Sequence, residues 1–167
     1  MYGWVGTILY VDLTNRKSVE KPLSRQLALT YLGGGGLNAR LLFDEVGPGV
    51  DPMGPENTLI MGAGPLVGTP APSCGRWTIT AKSPLSGCFG DSNVGGHFGA
   101  EMKFAGYDVI MFKGRASEPV YVFIDDNSVE IRKANYLWGK TVWETDDIIK
   151  EELADENIKT LICGPPA

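Results

Sequence analysis

The chain has 167 residues, 22 of them Gly and 11 Pro, is 43% hydrophobic and 21% charged, and carries a net charge of −5 at pH 7. A domain of this length buries roughly two-thirds of the surface its unfolded form exposes, so it needs no disulfide or metal staple, and the 1–167 stretch reads as a single domain without repeat or linker. The acidic balance (pI ≈ 4.9) excludes nucleic acid as a partner; no apolar run approaches about 18 residues, which excludes a membrane-spanning helix; and Met1-Tyr2-Gly3-Trp4 lacks the regions of a secretion signal, leaving the cytoplasm as the expected compartment.

In chain order, Thr7–Leu13 and Lys17–Lys21 read as two strands of a hairpin turning at Thr14-Asn15. Ser24 is placed to cap a helix carrying Leu27, Tyr31 and Leu32 on one face. Gly33–Gly36 should stop or bend that helix, since each glycine costs about 1 kcal/mol relative to Ala in a helix interior. The run lacks the G-x-x-x-x-G-K-[ST] pattern of a phosphate loop and reads as a flexible joint or a place of close packing. A second helical segment follows over Leu37–Val46, closed by Gly47-Pro48-Gly49.

Strands are then expected at Thr58–Ala63 and Trp77–Ala81, and Cys88-Phe89 leads into a turn at Asn93. A short helix over Gly96–Ala105 turns Phe98, Met102 and Ala105 inward. Strands at Asp108–Lys113, Val120–Ile124 and Ser128–Arg132 come next, the last two joined at Asp125-Asp126-Asn127. Thr141 and Glu144 form a capping box for a helix carrying Val142, Ile148, Ile149 and Leu153. A strand over Lys159–Cys163 precedes Gly164-Pro165-Pro166-Ala167, an ending that reads as cut off. The pattern is that of an α+β fold, mostly antiparallel or mixed sheet with three or four packed helices.

The segment 62–107 gives up side-chain packing for Gly, Pro, Ser and Thr, which lets backbone approach a ligand. Arg76, between Gly75 and a strand, is placed to fork onto phosphate or carboxylate; the alternative is a surface ion pair with one of 20 acidic residues. In Ser92-Asn93-Val94-Gly95-Gly96, Gly95 and Gly96 would bare amides to an anion at a helix start, and Asn93 offers its side-chain amide, or its carbonyl to a hard cation such as Mg²⁺. An ordinary helix start would use the same residues. Lys82 adds a second positive charge or is simply solvated. His97 has no evident partner for acid–base work. Cys74, Cys88 and Cys163 form no C-x-x-C pair and read as small thiols rather than cluster ligands.

The chain resembles the N-terminal domain of the tungsten-containing aldehyde:ferredoxin oxidoreductase family. The resemblance rests on Asp51-Pro52 with Pro55-Glu56-Asn57, on Ala63-Gly64-Pro65-Leu66 with Gly68-Thr69, and on Gly75-Arg76, Lys82-Ser83-Pro84 and Asn93 with Gly95-Gly96. Phe98-Gly99-Ala100-Glu101, Lys103 through Asp108, and Trp138-Gly139-Lys140 complete it, so that it runs from Tyr2-Gly3 to Gly164. The resemblance implies a parent enzyme that holds tungsten (or molybdenum) between two pterins beside a [4Fe-4S] cluster. Such a parent oxidises aldehydes to carboxylic acids and passes electrons to ferredoxin; some relatives form part of a benzoyl-CoA reductase instead.

It further implies that Arg76 lies between pterin and cluster, that Asn93 and Gly95 contact the pterin phosphates, and that the Asn93 carbonyl helps hold a bridging Mg²⁺, in agreement with the anion site read above at Gly95 and Gly96. The family's cluster cysteines, acid–base residues and second pterin loop lie beyond Gly164. The expectation is therefore half of a pterin cradle with no catalytic residue of its own, inactive without downstream domains or a partner subunit, and able to self-associate through the face those would cover. The alternatives are a stand-alone accessory or split-enzyme subunit, or a generic anion-binding module.

Overall fold

The computed structural model describes residues 2–126 and 128–165, so the expected turn residue Asn127, the start at Met1 and the closing Pro166-Ala167 lie outside the described residues. Eight strands and four helices follow in order: β1 (Thr7–Asp12), β2 (Lys17–Pro22), α1 (Arg25–Tyr31), α2 (Gly34–Glu45), β3 (Thr58–Ala63), β4 (Trp77–Lys82), β5 (Phe89–Val94), α3 (Phe98–Phe104), β6 (Val109–Lys113), β7 (Val120–Asp125), β8 (Ser128–Lys133) and α4 (Val142–Leu153). Six strands form one sheet in the order β2-β1-β6-β3-β4-β5, and β7 and β8 form a separate hairpin. Only the β1–β6 pair is parallel, with Ile8 opposite Val109 and Val11 opposite Phe112; the other neighbours are antiparallel. The expected α+β architecture of mixed sheet and four helices is what the chain adopts.

Strand alternation divides the core. Ile8, Ile60, Val109 and Met111 point to one face, where α1 and α2 bring Ala28, Leu37, Leu41 and Leu42. Leu9, Val11, Met61 and Ile110 point to the other, against Trp77, Met102 and Tyr107, with Val122, Ile124, Val129 and Ile131 of the hairpin packed on them. Burial on both faces explains why these strands read as continuous apolar runs. A third cluster, Ala134, Leu137 and Ile149, seats α4, whose Thr141–Glu144 capping box is present as expected.

Three expectations need correction. Leu32 does not continue the buried face of α1: it is the helix C-cap at φ 62 and is exposed. The first helix does stop at the glycine run as expected, α1 ending at Tyr31, and Gly34–Gly36 then open α2 with Gly33 as its N-cap. Their reason is proximity: a Cβ on Gly33 would lie 2.7 Å from the Ala63 carbonyl oxygen, and one on Gly36 would lie 2.6 Å from that of Tyr31. Asn93 lies in strand β5, opposite Thr78, and not in a turn. Lys159–Cys163 alternates between half-buried and exposed positions, yet it pairs with no strand among the described residues.

Asn38, in the middle of α2, is fully buried and donates its amide to the carbonyls of Ile60 (3.4 Å) and Thr78 (3.2 Å) and to Thr80 Oγ1 (3.2 Å). Helix and sheet approach so closely there that a Cβ on Gly62 would sit 2.0 Å from Asn38 Oδ1. Overpacking of this kind costs about 2–3 kcal/mol, so Gly62→Ala should lower urea-unfolding stability by that amount. Combining it with Asn38→Ala, which removes the clashing atom, should show a coupling above about 1 kcal/mol in a double-mutant cycle. Simple additivity would mean that the contact does not limit the packing.

Candidate functional site

The stretch between β3 and β4 has neither helix nor strand and folds upon itself: Val67 N–H donates to Gly64 O (3.1 Å), Thr69 Oγ1 to Leu66 O (2.7 Å) and the Cys74 thiol to Thr69 O (3.2 Å). It delivers Gly75-Arg76 to the start of β4, where Trp77 pairs with Val94 and Thr78 with Asn93. At this end of the hairpin Gly75 comes beside Gly96, a Cβ on Gly75 lying 3.3 Å from the Gly96 carbonyl oxygen. The predicted residues Arg76, Asn93, Gly95 and Gly96 therefore meet at one corner of the sheet, all exposed.

The corner is open. No atom lies within 4 Å of where a Cβ of Gly95 or Gly96 would stand, and Gly96 adopts φ +81, a conformation suited to glycine. Among the described residues the Arg76 guanidinium has neither a carboxylate partner nor a hydrogen bond, so the surface ion pair weighed from the sequence does not form. An exposed, unpaired guanidinium beside bare glycine backbone can take a phosphate or carboxylate in a bidentate fork.

The origin of the free amides differs from the sequence expectation. Helix α3 starts at Phe98, has seven residues and carries Glu101 in its first turn, so the open backbone at Gly95-Gly96 belongs to the turn before it and owes little to a helix dipole. Lys82 lends no charge to the corner: its Nζ donates to the carbonyls of Pro48 and Val50, both at 2.7 Å. His97 is exposed at the head of α3 without a side-chain capping bond. The three cysteines are free, and no group of three or more potential metal-ligating side chains occurs among the described residues.

Sequence reasoning missed several neighbours of the corner. Asp91, opposite Thr80, accepts a hydrogen bond from Thr80 Oγ1 (3.1 Å) and a long one from Asn93 Nδ2 (3.5 Å). The glycines that open α2 border the same strands, Gly34 against Thr78 and Gly35 against Asp91. Lys103 and Asp108 form a buried pair behind the loops. The available signals were an Asn inside the apolar run Leu37-Asn38-Ala39-Arg40-Leu41-Leu42, and a lysine and an aspartate flanking the tight Ala105-Gly106 turn.

Comparison with known proteins places these features in a wider group. The family profile described as aldehyde ferredoxin oxidoreductase, N-terminal domain, matches residues 8–167. The tungsten-containing aldehyde ferredoxin oxidoreductase of Pyrococcus furiosus is 46% identical over 99% of the chain, which covers 27% of that relative. The aliphatic sulfonate oxidoreductase WOR-like subunit of the same organism is 39% identical over 93% of the chain and is covered to 25%. Among solved structures, the BamBC active-site complex of benzoyl coenzyme A reductase superposes with a TM-score of 0.91 at 43% identity, over 93% of this chain and 24% of that one. The chain thus spans about a quarter of the length of the curated relatives it matches.

Because Arg76 and Asn93 are exposed and bear little of the packing, Arg76→Ala and Asn93→Ala should each change unfolding free energy by no more than about 0.5 kcal/mol. Trp77→Ala next door, emptying a fully buried ring site, should cost about 3–5 kcal/mol. Chemical denaturation measures all three; a loss at Arg76 comparable to that at Trp77 would assign the arginine to the scaffold.

Proposed function

Since the chain belongs to the aldehyde ferredoxin oxidoreductase family, whose N-terminal domain it matches, we propose that residues 1–167 form one domain that holds the phosphate groups of a tungsten (or molybdenum) bis-pterin. The observation that carries this reading is the unpaired Arg76 beside the open Gly95-Gly96 backbone. An anion bound there meets a guanidinium fork and backbone donors with no carboxylate neutralising the arginine. Asn93, held in β5 beside Asp91, would offer its carbonyl to a Mg²⁺ accompanying those phosphates, and Arg76 would add positive charge near a [4Fe-4S] cluster whose ligands come from outside this chain.

When bound, the metal and its pterins supply the two-electron redox chemistry. The protein's share here is binding, orientation and charge. The parent oxidises aldehydes to carboxylic acids in the cytoplasm, with ferredoxin as electron acceptor. The missing parts come from downstream domains or a partner subunit, in keeping with a chain that covers about a quarter of its relatives. The 43% identity to a benzoyl coenzyme A reductase complex favours a second reading, in which the same cradle serves a reductase. Both readings share the cofactor-holding role and differ only in what the absent parts bind.

The cradle is tested with inorganic pyrophosphate as probe, by titration calorimetry on the purified chain. Binding that weakens at least tenfold in Arg76→Ala, about 1.4 kcal/mol, and that weakens further with added salt, is the expected result. Equal affinity of the wild-type and Arg76→Ala chains would remove the arginine from the site. The chain alone should show no aldehyde-dependent viologen reduction; turnover by it would overturn the division of labour proposed here.

A further inference from the structure

Helix α3 ends in a glycine-dependent turn. Gly106, at φ +100, donates to Lys103 O (3.1 Å) and Tyr107 N–H donates to Met102 O (3.0 Å), a reversal that brings Asp108 back against the helix it has just left. Lys103 Nζ then stands 3.6 Å from Asp108 Oδ1, with side-chain exposures of 7% and 1%. A pair so far from water must be held by further hydrogen bonds or it destabilises the fold. It is held: Lys103 Nζ donates to the carbonyls of Gly3 (2.5 Å), Gly64 (3.2 Å) and Pro65 (3.5 Å). Asp108 accepts from the amides of Val5 (3.1 Å) and Gly6 (2.6 Å).

These partners are not a random set. Gly64-Pro65 opens the loop that ends at Arg76, and α3 is the continuation of the Gly95-Gly96 turn. The loop's other hydrogen bonds among the described residues are largely within itself, and its further contacts with α3 are apolar, Val67 sharing a core cluster with Met102 and Gly68 lying against Ala100 and Phe104. Lys103 is thus the polar link between the segment that presents the guanidinium and the segment that presents the bare amides. A second contact keeps the same register, since Gly99 lies so close on Trp77 that a Cβ there would be 2.7 Å from the ring. Burial pulls the Lys103 ammonium below the usual lysine range, and the neighbouring Asp108 opposes that shift.

We propose that Lys103 and Asp108 are the positioning pair of the anion cradle: by joining the head of the Gly64–Arg76 loop to α3, they set the spacing between Arg76 and Gly95-Gly96. The proposal rests on the phosphate-holding reading above for its ligand, and on the geometry alone for its effect on the two segments.

The test compares the wild-type chain with Lys103→Met, Asp108→Asn and the double variant, which removes both charges and leaves neither ion unpaired. Three readouts are taken: thermal midpoint, amide NMR shifts, and pyrophosphate affinity. The expected result is that the double variant recovers most of the stability that Lys103→Met loses, yet binds pyrophosphate at least tenfold more weakly than wild type. The amides of Arg76, Gly95 and Gly96 should shift, while those of α4, which packs in a separate cluster, remain in place. A folded double variant with unmoved corner amides and affinity within twofold of wild type overturns the proposal. If the wild-type chain binds no pyrophosphate, the phosphate reading fails, and positioning is still decided by the amide shifts. Failure of all three variants to fold would assign the pair to the scaffold and likewise overturn the proposal.

Discussion

Strands β1, β6 and β3 carry apolar side chains on both faces, and the rest of the structure is arranged around covering them. Leu9, Ile60 and Val109 are fully buried, and each such side chain contributes about 1.5–3 kcal/mol relative to exposure. One face is closed by α1 and α2, the other by α3 and the β7–β8 hairpin. The parallel β1–β6 pairing lies inside the sheet, next to the central β6–β3 pair, and joins residue 8 to residue 109. What remains outside is β5 and the corner it shares with the head of β4, where Arg76, Asn93, Gly95 and Gly96 meet. The packed core and the proposed binding corner thereby occupy different parts of the same sheet.

Much of the fold was legible because local signals agreed with the tertiary solution. Thr58–Ala63 reads as a buried strand and is one, Ser24 caps α1, and Thr141 with Glu144 caps α4. The misreadings share a cause. The break at four consecutive glycines is real, since α1 ends at Tyr31, but helix propensity hides that the same glycines open α2 against β3, where packing overrides it. Asn93 looks like a turn residue by composition, yet cross-strand pairing with Thr78 draws it into β5. Lys159–Cys163 has the right pattern for a strand, but strand formation needs a partner, and no periodicity within a segment reveals one.

The corner was legible in part for the same reason. Arg76, Asn93, Gly95 and Gly96 announce themselves by being an arginine among small residues and glycines after a polar strand. Their adjacency follows only from the β4–β5 register, which sequence spacing does not give. The Lys103–Asp108 pair was hidden because its meaning lies in contacts with Gly3, Val5, Gly6, Gly64 and Pro65, some a hundred residues away in the chain.

The position of β5 at the margin of the sheet has a consequence for solubility. An unpaired strand margin is a template on which another chain can add, and proteins blunt such margins with charge and polarity. At the far side, β2 carries Lys17, Glu20, Lys21 and Pro22, residues that discourage a new neighbour. β5 has Asp91, Ser92 and Asn93 in the middle and no proline. The polar residues along β5 are therefore also gatekeepers that keep this margin from templating aggregation, and an apolar replacement at Ser92 trades colloidal stability before it touches the folded core.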